Sequence, residues 1–238
     1  MSNLALPMKN LLTLLILSYL TIATIQAQSN DVIRVKSGEK MLEKDKYLYD
    51  QFKMGTVHYR TGNSPTARLN YNLMLREMQF LAPAGDTMSL ADEQTVRQIS
   101  LNGDTYMYDQ KNSLLKVLGT YGSAGLALEQ YLKVANVDKE GGYGMSSGAS
   151  SIKTYSSYPT GNGSTAKLEM KGDVVFSRQQ IYYFINQNNL TFPASRKSIL
   201  KMFPKQKSAV EKYLDEHPVQ FNQEEDLRAL LEFCAGLK

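Results

Sequence analysis

The stretch TARLNYNLMLREMQFL, residues Thr66–Leu81, decides the predicted fold of this chain of 238 residues. Apolar and polar side chains alternate along it, with Leu69, Tyr71, Leu73 and Leu75 on one side and Arg68, Asn70, Asn72 and Arg76 on the other. Successive side chains of a β-strand point to opposite faces, so a period of two predicts a strand with one buried face. We therefore expect a sheet whose apolar face lies on a core.

The alternation changes phase after Leu75, because the next apolar pair, Met78 and Phe80, sits at even positions. A shift of one residue in a continuous strand turns a whole face outward. A β-bulge inserts one extra residue and restores the facing. The sequence therefore predicts a bulge near Arg76–Glu77.

Further strands, separated by turn-forming residues, are predicted at Gly55–Gly62, Thr87–Leu90, Thr95–Leu101, Thr105–Tyr108, Ser113–Tyr121 and Leu126–Val137, and as a final hairpin at Ala166–Phe176 and Gln179–Ile185. The first of them should form a hairpin with the central stretch through the loop Asn63–Pro65. Asn102 and Gly103 indicate a type I′ turn, since both central positions of that turn need positive φ. Leu126–Val137 also fits a helical period, but the hairpin signals on both flanks favour a strand.

The apolar period changes to 3.6 in the C-terminal part of the chain, which predicts three helices. Pro204 and Pro218 end the first two. Asn222 is expected to cap the third, with Glu225 at the third helical position of a capping box. An apolar stripe follows along that helix: Leu227, Leu230, Leu231 and Cys234.

Together these patterns predict an α+β, mainly β protein. Residues 28–190 should form an antiparallel β-meander, as a curved open sheet or a partial barrel. Residues 191–238 should form a C-terminal helical subdomain packed on that sheet. The charged segment Ser29–Lys46 is expected to be a solvated lead into the first strand.

The N-terminus has the pattern of a secretory signal peptide over residues 1–27. Lys9 precedes an apolar run, Leu11–Ala23, which is short for a membrane span of about 20 residues. The small residue Ala27 before Gln28 predicts cleavage between these two positions. The signal peptide contains no cysteine for lipid attachment, so we expect a periplasmic or secreted protein that is not an integral membrane protein after cleavage. The net charge of +4 is small and favours neither nucleic acid nor an acidic partner.

Five short segments carry a family resemblance: Gly55–Val57, Leu69–Asn72, Glu77–Phe80, Phe203–Lys205 and Phe221–Leu227. They resemble a group of uncharacterised exported proteins of Bacteroidota, the gram-negative phylum that includes Bacteroides and Flavobacterium. The likeness covers most of the mature chain and its motifs are structural. The resemblance implies an exported location and a fold, and no known activity comes with it. It also makes relevant the match of Asp86-Thr87-Met88 to the O-glycosylation pattern of exported Bacteroidota proteins, with Thr87 as the modified residue.

The residue types of the common catalytic and metal sites do not combine into a recognisable motif. The two histidines, His58 and His217, lack a His or Cys partner at ligand spacing, so no metal site is predicted. The single cysteine, Cys234, lies on an apolar stripe and is best interpreted as a core residue. We expect no cofactor, and the absence of a converging set of polar residues argues against an enzyme without excluding one.

The polar face of the central strand is the candidate binding surface. Arg68, Asn70 and Asn72 are costly to bury without partners, so this face is either solvated or lines a polar cleft. A solvated outer face is the simpler interpretation. The alternative is a ligand-facing surface over which Gly141–Thr165 folds, a segment rich in Gly, Ser and Thr that we expect to be a mobile loop.

These observations leave three hypotheses for function. The first is a non-catalytic binding or scaffold protein of the periplasm or cell exterior, with a protein, glycan or lipid partner in the cell envelope. The second is a carrier that holds a lipid or another apolar ligand in a curved sheet. An outer-membrane barrel is the third, although such chains close with a terminal strand and this one ends on a predicted helix.

Overall fold

The computed structural model describes residues 32–111, 113–138 and 173–237. Residues 31–238 form one compact unit. The predicted cleavage site at Ala27 and Gln28 and the predicted loop Gly141–Thr165 lie outside the described residues.

The described part of this unit contains eleven strands, four short α-helices and one 3₁₀ helix, Glu93–Thr95. The strands are β1 (Val32–Val35), β2 (Lys53–Tyr59), β3 (Thr66–Asn72), β4 (Glu77–Leu81), β5 (Thr87–Ser89), β6 (Val96–Leu101), β7 (Asp104–Tyr108), β8 (Leu114–Tyr121), β9 (Ala124–Asp138), β10 (Asp173–Ile185) and β11 (Thr191–Pro193). The helices are α1 (Glu43–Lys46), α2 (Arg196–Met202), α3 (Lys207–Glu216) and α4 (Glu224–Gly236).

All strands belong to one antiparallel sheet in the order β1-β10-β9-β8-β7-β6-β2-β3-β4-β5, with β11 also paired to β10. The path contains two meanders, β2 to β5 and β6 to β10. They are joined because β6 pairs with β2 rather than with β5. The open antiparallel sheet with a helical C-terminal part confirms the predicted fold class.

The central stretch is a hairpin, and the predicted bulge near Arg76–Glu77 is wrong. β3 ends at Asn72, a four-residue turn follows, and Arg76 closes it with a φ of 60°. Tyr71 then lies opposite Met78. Paired positions in this hairpin always combine an odd with an even number, so the core-facing residues change parity across the turn. The phase change therefore marks a reversal of the chain.

The structure confirms the β2–β3 hairpin and the turn at Asn102 and Gly103, which have φ of 55° and 83°. It also confirms that β9 is a strand and not a helix. The predicted final hairpin within residues 166–185 is wrong for its described part. Asp173–Ile185 is one continuous strand, because β10 pairs with β9 along its whole length.

Two smaller predictions also fail. Val32–Val35 is not a solvated lead but the strand β1, which pairs with β10. The capping box at Asn222 does not form, since Gln223 stands at the N-cap of α4 without a side-chain bond. The carboxylate of Asp226 instead accepts a hydrogen bond from the backbone amide of Gln220 at 2.7 Å.

Two large apolar cores lie along the sheet. One joins the first meander to β9 and β10 and contains Val57, Leu69, Tyr71, Leu73, Met78, Ile99, Leu132 and Phe176. The other lies between the sheet and α2, α3 and α4 and contains Leu126, Phe184, Ile199, Val210, Leu227, Leu230, Leu231 and Cys234. The predicted apolar stripe of the last helix is therefore confirmed as core.

The two meanders also meet at a place far from the β2–β6 pair. β8 pairs with β9 up to Leu128, and β9 continues to Asp138. Beyond that point the amide of Leu132 donates a hydrogen bond to the carbonyl of Leu73, in the β3–β4 turn, at 2.9 Å. We call this meeting of the turn Leu73–Arg76 with β9 the closing contact.

The side chain of Arg76 extends the closing contact. Its guanidinium lies 3.6 Å from the ring centroid of Tyr131, and its Nη1 lies 3.4 Å from Oε1 of Glu129. Glu129 is 4 % exposed, and its other oxygen accepts a bond from the Tyr183 hydroxyl at 3.0 Å. A buried carboxylate needs such partners, because desolvation without them costs several kcal/mol.

Candidate functional site

The asparagines of β3, predicted as binding residues, hold the segment that precedes β2. The side-chain oxygen of Asn70 accepts from the Tyr49 amide at 3.2 Å, and its Nδ2 donates to the Tyr49 carbonyl at 2.7 Å. This amide thus pairs with Tyr49 in the way a neighbouring strand would. Asn70 is 1 % exposed, so the pairing satisfies a buried polar group.

Asn72, two residues further along β3, also holds neighbouring segments in place. Its oxygen accepts from the amides of Met74 and Leu75, both at 3.0 Å, and so shapes the β3–β4 turn. Its nitrogen donates to Gln79, which also accepts from the Tyr47 hydroxyl at 2.8 Å. Asn72 is 5 % exposed.

A solvated outer face is therefore the wrong interpretation for Asn70 and Asn72, whereas Arg68 is exposed as expected. The structure does not group the three residues in an open cleft, because Tyr47 and Tyr49 cover the two asparagines. Binding of a partner by Arg68, Asn70 and Asn72 stays a prediction.

Tyr49 and Tyr106 form a second polar cluster, with Asp104 of β7 and Lys116 of β8. The hydroxyls of Tyr106 and Tyr49 lie 2.6 Å apart, and Tyr49 donates to Asp104 at 2.7 Å. Asp104 is also paired with Lys116 at 2.9 Å. Burial, the largest cause, raises the pKa of Tyr49 to about 12. The cluster is a structural network, since each member has a partner.

Tyr71 differs from its neighbours. Its ring is 2 % exposed, and its hydroxyl has no hydrogen-bond partner among the residues that the structure describes. Burial raises the pKa of this phenol, and the nearby carboxylate of Glu129 raises it further. An unpaired buried hydroxyl is destabilising.

His58 shares its ring nitrogens with two serines and has no carboxylate partner within the described ranges. Nδ1 lies 3.1 Å from Oγ of Ser64, and Nε2 lies 3.3 Å from Oγ of Ser100. A nucleophilic serine also needs a group that orients the base. None is present in the described surroundings, so this trio supports no hydrolytic site.

Two further predictions concern the modification site Thr87 and metal binding. Thr87 is exposed at the start of the edge strand β5. Within residues 32–111, 113–138 and 173–237, no group of three His, Cys, Asp or Glu residues is arranged to hold a metal ion.

A cavity of about 470 Å³ lies at one end of the helical layer. Four segments line it: the β8–β9 turn at residues 122–123, the β10–β11 turn at 186–187 with Phe192, the end of α2 with the following loop at 201–206, and the end of α4 at residues 234, 235 and 237. Its volume is within the range of small-molecule sites. Sequence reasoning missed it, because these segments are far apart along the chain.

The charge of this cavity has one sign. Lys201 and Lys205 line it, and no Asp or Glu is among its described lining residues. Nζ of Lys201 lies 5.5 Å from the ring centroid of Phe192, which holds the ammonium at the wall. Neither lysine has a carboxylate partner in the described part of the chain. Nearby cations differ, since Arg196 pairs with Asp215 and Lys207 with Glu211.

Cys234 belongs to the cavity wall but is not a nucleophile. The residue is 2 % exposed, and burial raises the pKa of its thiol to about 11. Reactive cysteines have a lowered pKa. The prediction that Cys234 is a core residue is confirmed.

No protein-family model, curated protein or solved structure matches this chain. Its site must therefore be judged from its own geometry. Across the residues that the structure describes, no helix combines the length and the apolar character needed to cross a membrane. The cavity at the end of α4 (the α4 cavity below) is the best candidate for a binding site, because its two lysines have no carboxylate partner in the described part of the chain.

Replacing Asn70 by Ala should lower the free energy of unfolding by about 1–3 kcal/mol, because the Tyr49 amide and carbonyl lose their partner. Arg68→Ala, two positions away on the same strand, is the control and should change stability by less than about 0.5 kcal/mol. Urea unfolding measures both. Equal effects of the two substitutions would contradict the structural role of Asn70.

Tyr71→Phe should stabilise the protein by about 1 kcal/mol or more, because it removes an unpaired buried hydroxyl. Tyr106→Phe is the matched control and should destabilise it by about 1 kcal/mol, since Tyr49 loses a hydrogen bond.

The unmodified protein and Tyr71→Phe should also differ in how their stability depends on alkaline pH. The folded state keeps Tyr71 protonated while the unfolded chain ionises near pH 10, so stability falls as the pH rises above about 10. Tyr71→Phe should show a smaller fall in melting temperature between pH 9 and pH 11. An unchanged alkaline profile would mean that Tyr71 is not buried as described.

Proposed function

We propose that this protein is an exported, non-catalytic binding protein of the periplasm or cell exterior that holds a small molecule in the α4 cavity. The signal-peptide pattern of residues 1–27 and the resemblance to exported Bacteroidota proteins support the compartment. The α4 cavity supports the binding role, and it is the observation that carries the proposal.

Two properties of this cavity favour binding over a structural origin. Its wall combines apolar side chains, Phe192 and Phe203, with the amide side chains of Gln187 and Gln206. Binding sites for small molecules have this mixture of an apolar body and a few polar groups. Lys201 and Lys205 also line the wall, and neither has a carboxylate partner in the described part of the protein.

The carrier hypothesis in its original form, with the ligand on the curved sheet, has less support. Leu69, Leu73 and Ile99 are fully buried in the core that joins the first meander to β9 and β10. Side chains rather than open space fill that core. A carrier role is better supported if the ligand lies in the α4 cavity, beside the helical layer.

The test is native mass spectrometry of the protein purified from its original host. We expect a mass that begins at Gln28 together with a non-covalent small-molecule adduct. Ala235→Trp should remove the adduct, because Ala235 lines the α4 cavity. The control is Ala229→Trp, at another exposed alanine of the same helix, and it should keep the adduct.

Absence of any adduct from the unmodified protein would contradict the binding role, as would an adduct that survives Ala235→Trp. Robust turnover in a panel of hydrolase substrates would contradict the non-catalytic assignment instead. The melting temperatures of both tryptophan variants should be measured first, since only folded variants compare binding.

A further inference from the structure

We infer that the α4 cavity selects an anionic amphiphile, a small molecule that joins one anionic head group to a short apolar body. This inference rests on the proposed function and names the class of its ligand. Three observations carry it: the positive charge of the cavity wall, the apolar residues of that wall, and the volume of the cavity.

The charge of the wall determines the head group. Lys201 and Lys205 come from the end of α2 and from the loop after it, so two lysines line one space. A cation with no carboxylate beside it attracts an anion, and a charge-assisted hydrogen bond to a carboxylate or phosphate oxygen is among the stronger polar contacts. A cationic ligand would meet repulsion from both lysines.

The apolar residues of the wall determine the rest of the ligand. Met202, Phe203 and Leu237 are partly buried and pack against the core under the helical layer. They are therefore held in place from behind and present an apolar surface to the cavity. A purely polar anion would leave this surface in contact with water, whereas a short hydrocarbon body removes it at about 25 cal/mol per Å².

The polar groups that remain can orient the head group. The amides of Gln187 and Gln206 and the hydroxyl of Ser123 line the same cavity as the lysines. Their N–H and O–H groups donate to anionic oxygens. A volume of about 470 Å³ admits a medium-length chain with its head group but not a two-chain lipid in full.

The test uses isothermal titration calorimetry with probes that share a ten-carbon chain. They are decanoate and decyl phosphate as anions, decanol as the neutral form, and decyltrimethylammonium as the cation. Acetate and inorganic phosphate test the head groups alone. We expect one saturable site for decanoate or decyl phosphate, binding of decanol weaker by roughly tenfold or more, and no binding of the cation.

Lysine variants identify the groups responsible. Lys201→Gln and Lys205→Gln should each weaken binding of the anionic probe by roughly tenfold, because each removes one charge-assisted contact. Lys197→Gln is the matched control, since Lys197 is an exposed lysine of α2 outside the cavity wall. It should bind as the unmodified protein does. All three variants should keep the melting temperature, because these lysines are exposed.

The possible failures are distinguishable. Equal binding of decanol or of the ammonium probe, equal binding of acetate or inorganic phosphate, or no effect of the two cavity lysines would overturn the anionic amphiphile. Failure of every probe to bind would also overturn it. A neutral or cationic adduct in native mass spectrometry that Ala235→Trp removes would leave the proposed binding role standing. Absence of any adduct there is the result that contradicts the binding role itself.

Discussion

The hydrogen bond from the Leu132 amide to the Leu73 carbonyl is the contact on which the arrangement of this sheet depends. β9 extends ten residues beyond Leu128, where its pairing with β8 ends, to Asp138. Along these residues, no strand in the described part of the chain is paired to the edge of β9 that faced β8. An uncovered strand edge is a template for unwanted pairing. The β3–β4 turn meets that edge at Leu132. Arg76 fixes the turn there through Glu129 and the ring of Tyr131. The first meander is thereby held against β9 as well as against β6.

The closing contact divides the sheet into two regions with different cores. Where β9 meets the first meander, Leu132 and Phe176 share a core with Leu69, Tyr71 and Leu73, and side chains fill the space. Where the first meander does not reach, the sheet buries Leu126 and Phe184 under the helices. The α4 cavity lies at the end of that second region, between hairpin turns and helix ends.

Local patterns in the sequence predicted the strands but not what covers them. The alternation around Tyr71 placed Leu69, Tyr71 and Leu73 in the core, but Asn70 and Asn72 on the opposite face are buried as well, and Leu75 is exposed. The stripe ending at Cys234 identified the core face of α4. The burial of Asn70 was not predictable, because its partner Tyr49 is 21 residues away and belongs to no regular strand. The parity change near Arg76 was visible, but a bulge and a reversal of the chain produce the same pattern. The α4 cavity combines four distant segments, and no local pattern indicates it.

Amide hydrogen exchange at Leu132, followed by NMR, tests the closing contact most directly. If the β3–β4 turn covers β9, this amide exchanges only when the two meanders separate, and its protection lies close to the free energy of global unfolding. Arg76→Ala should reduce that protection, because Glu129 then loses a partner and the turn loses its anchor. An amide at Leu132 that exchanges as fast as those of exposed loops such as Thr61 would contradict the account.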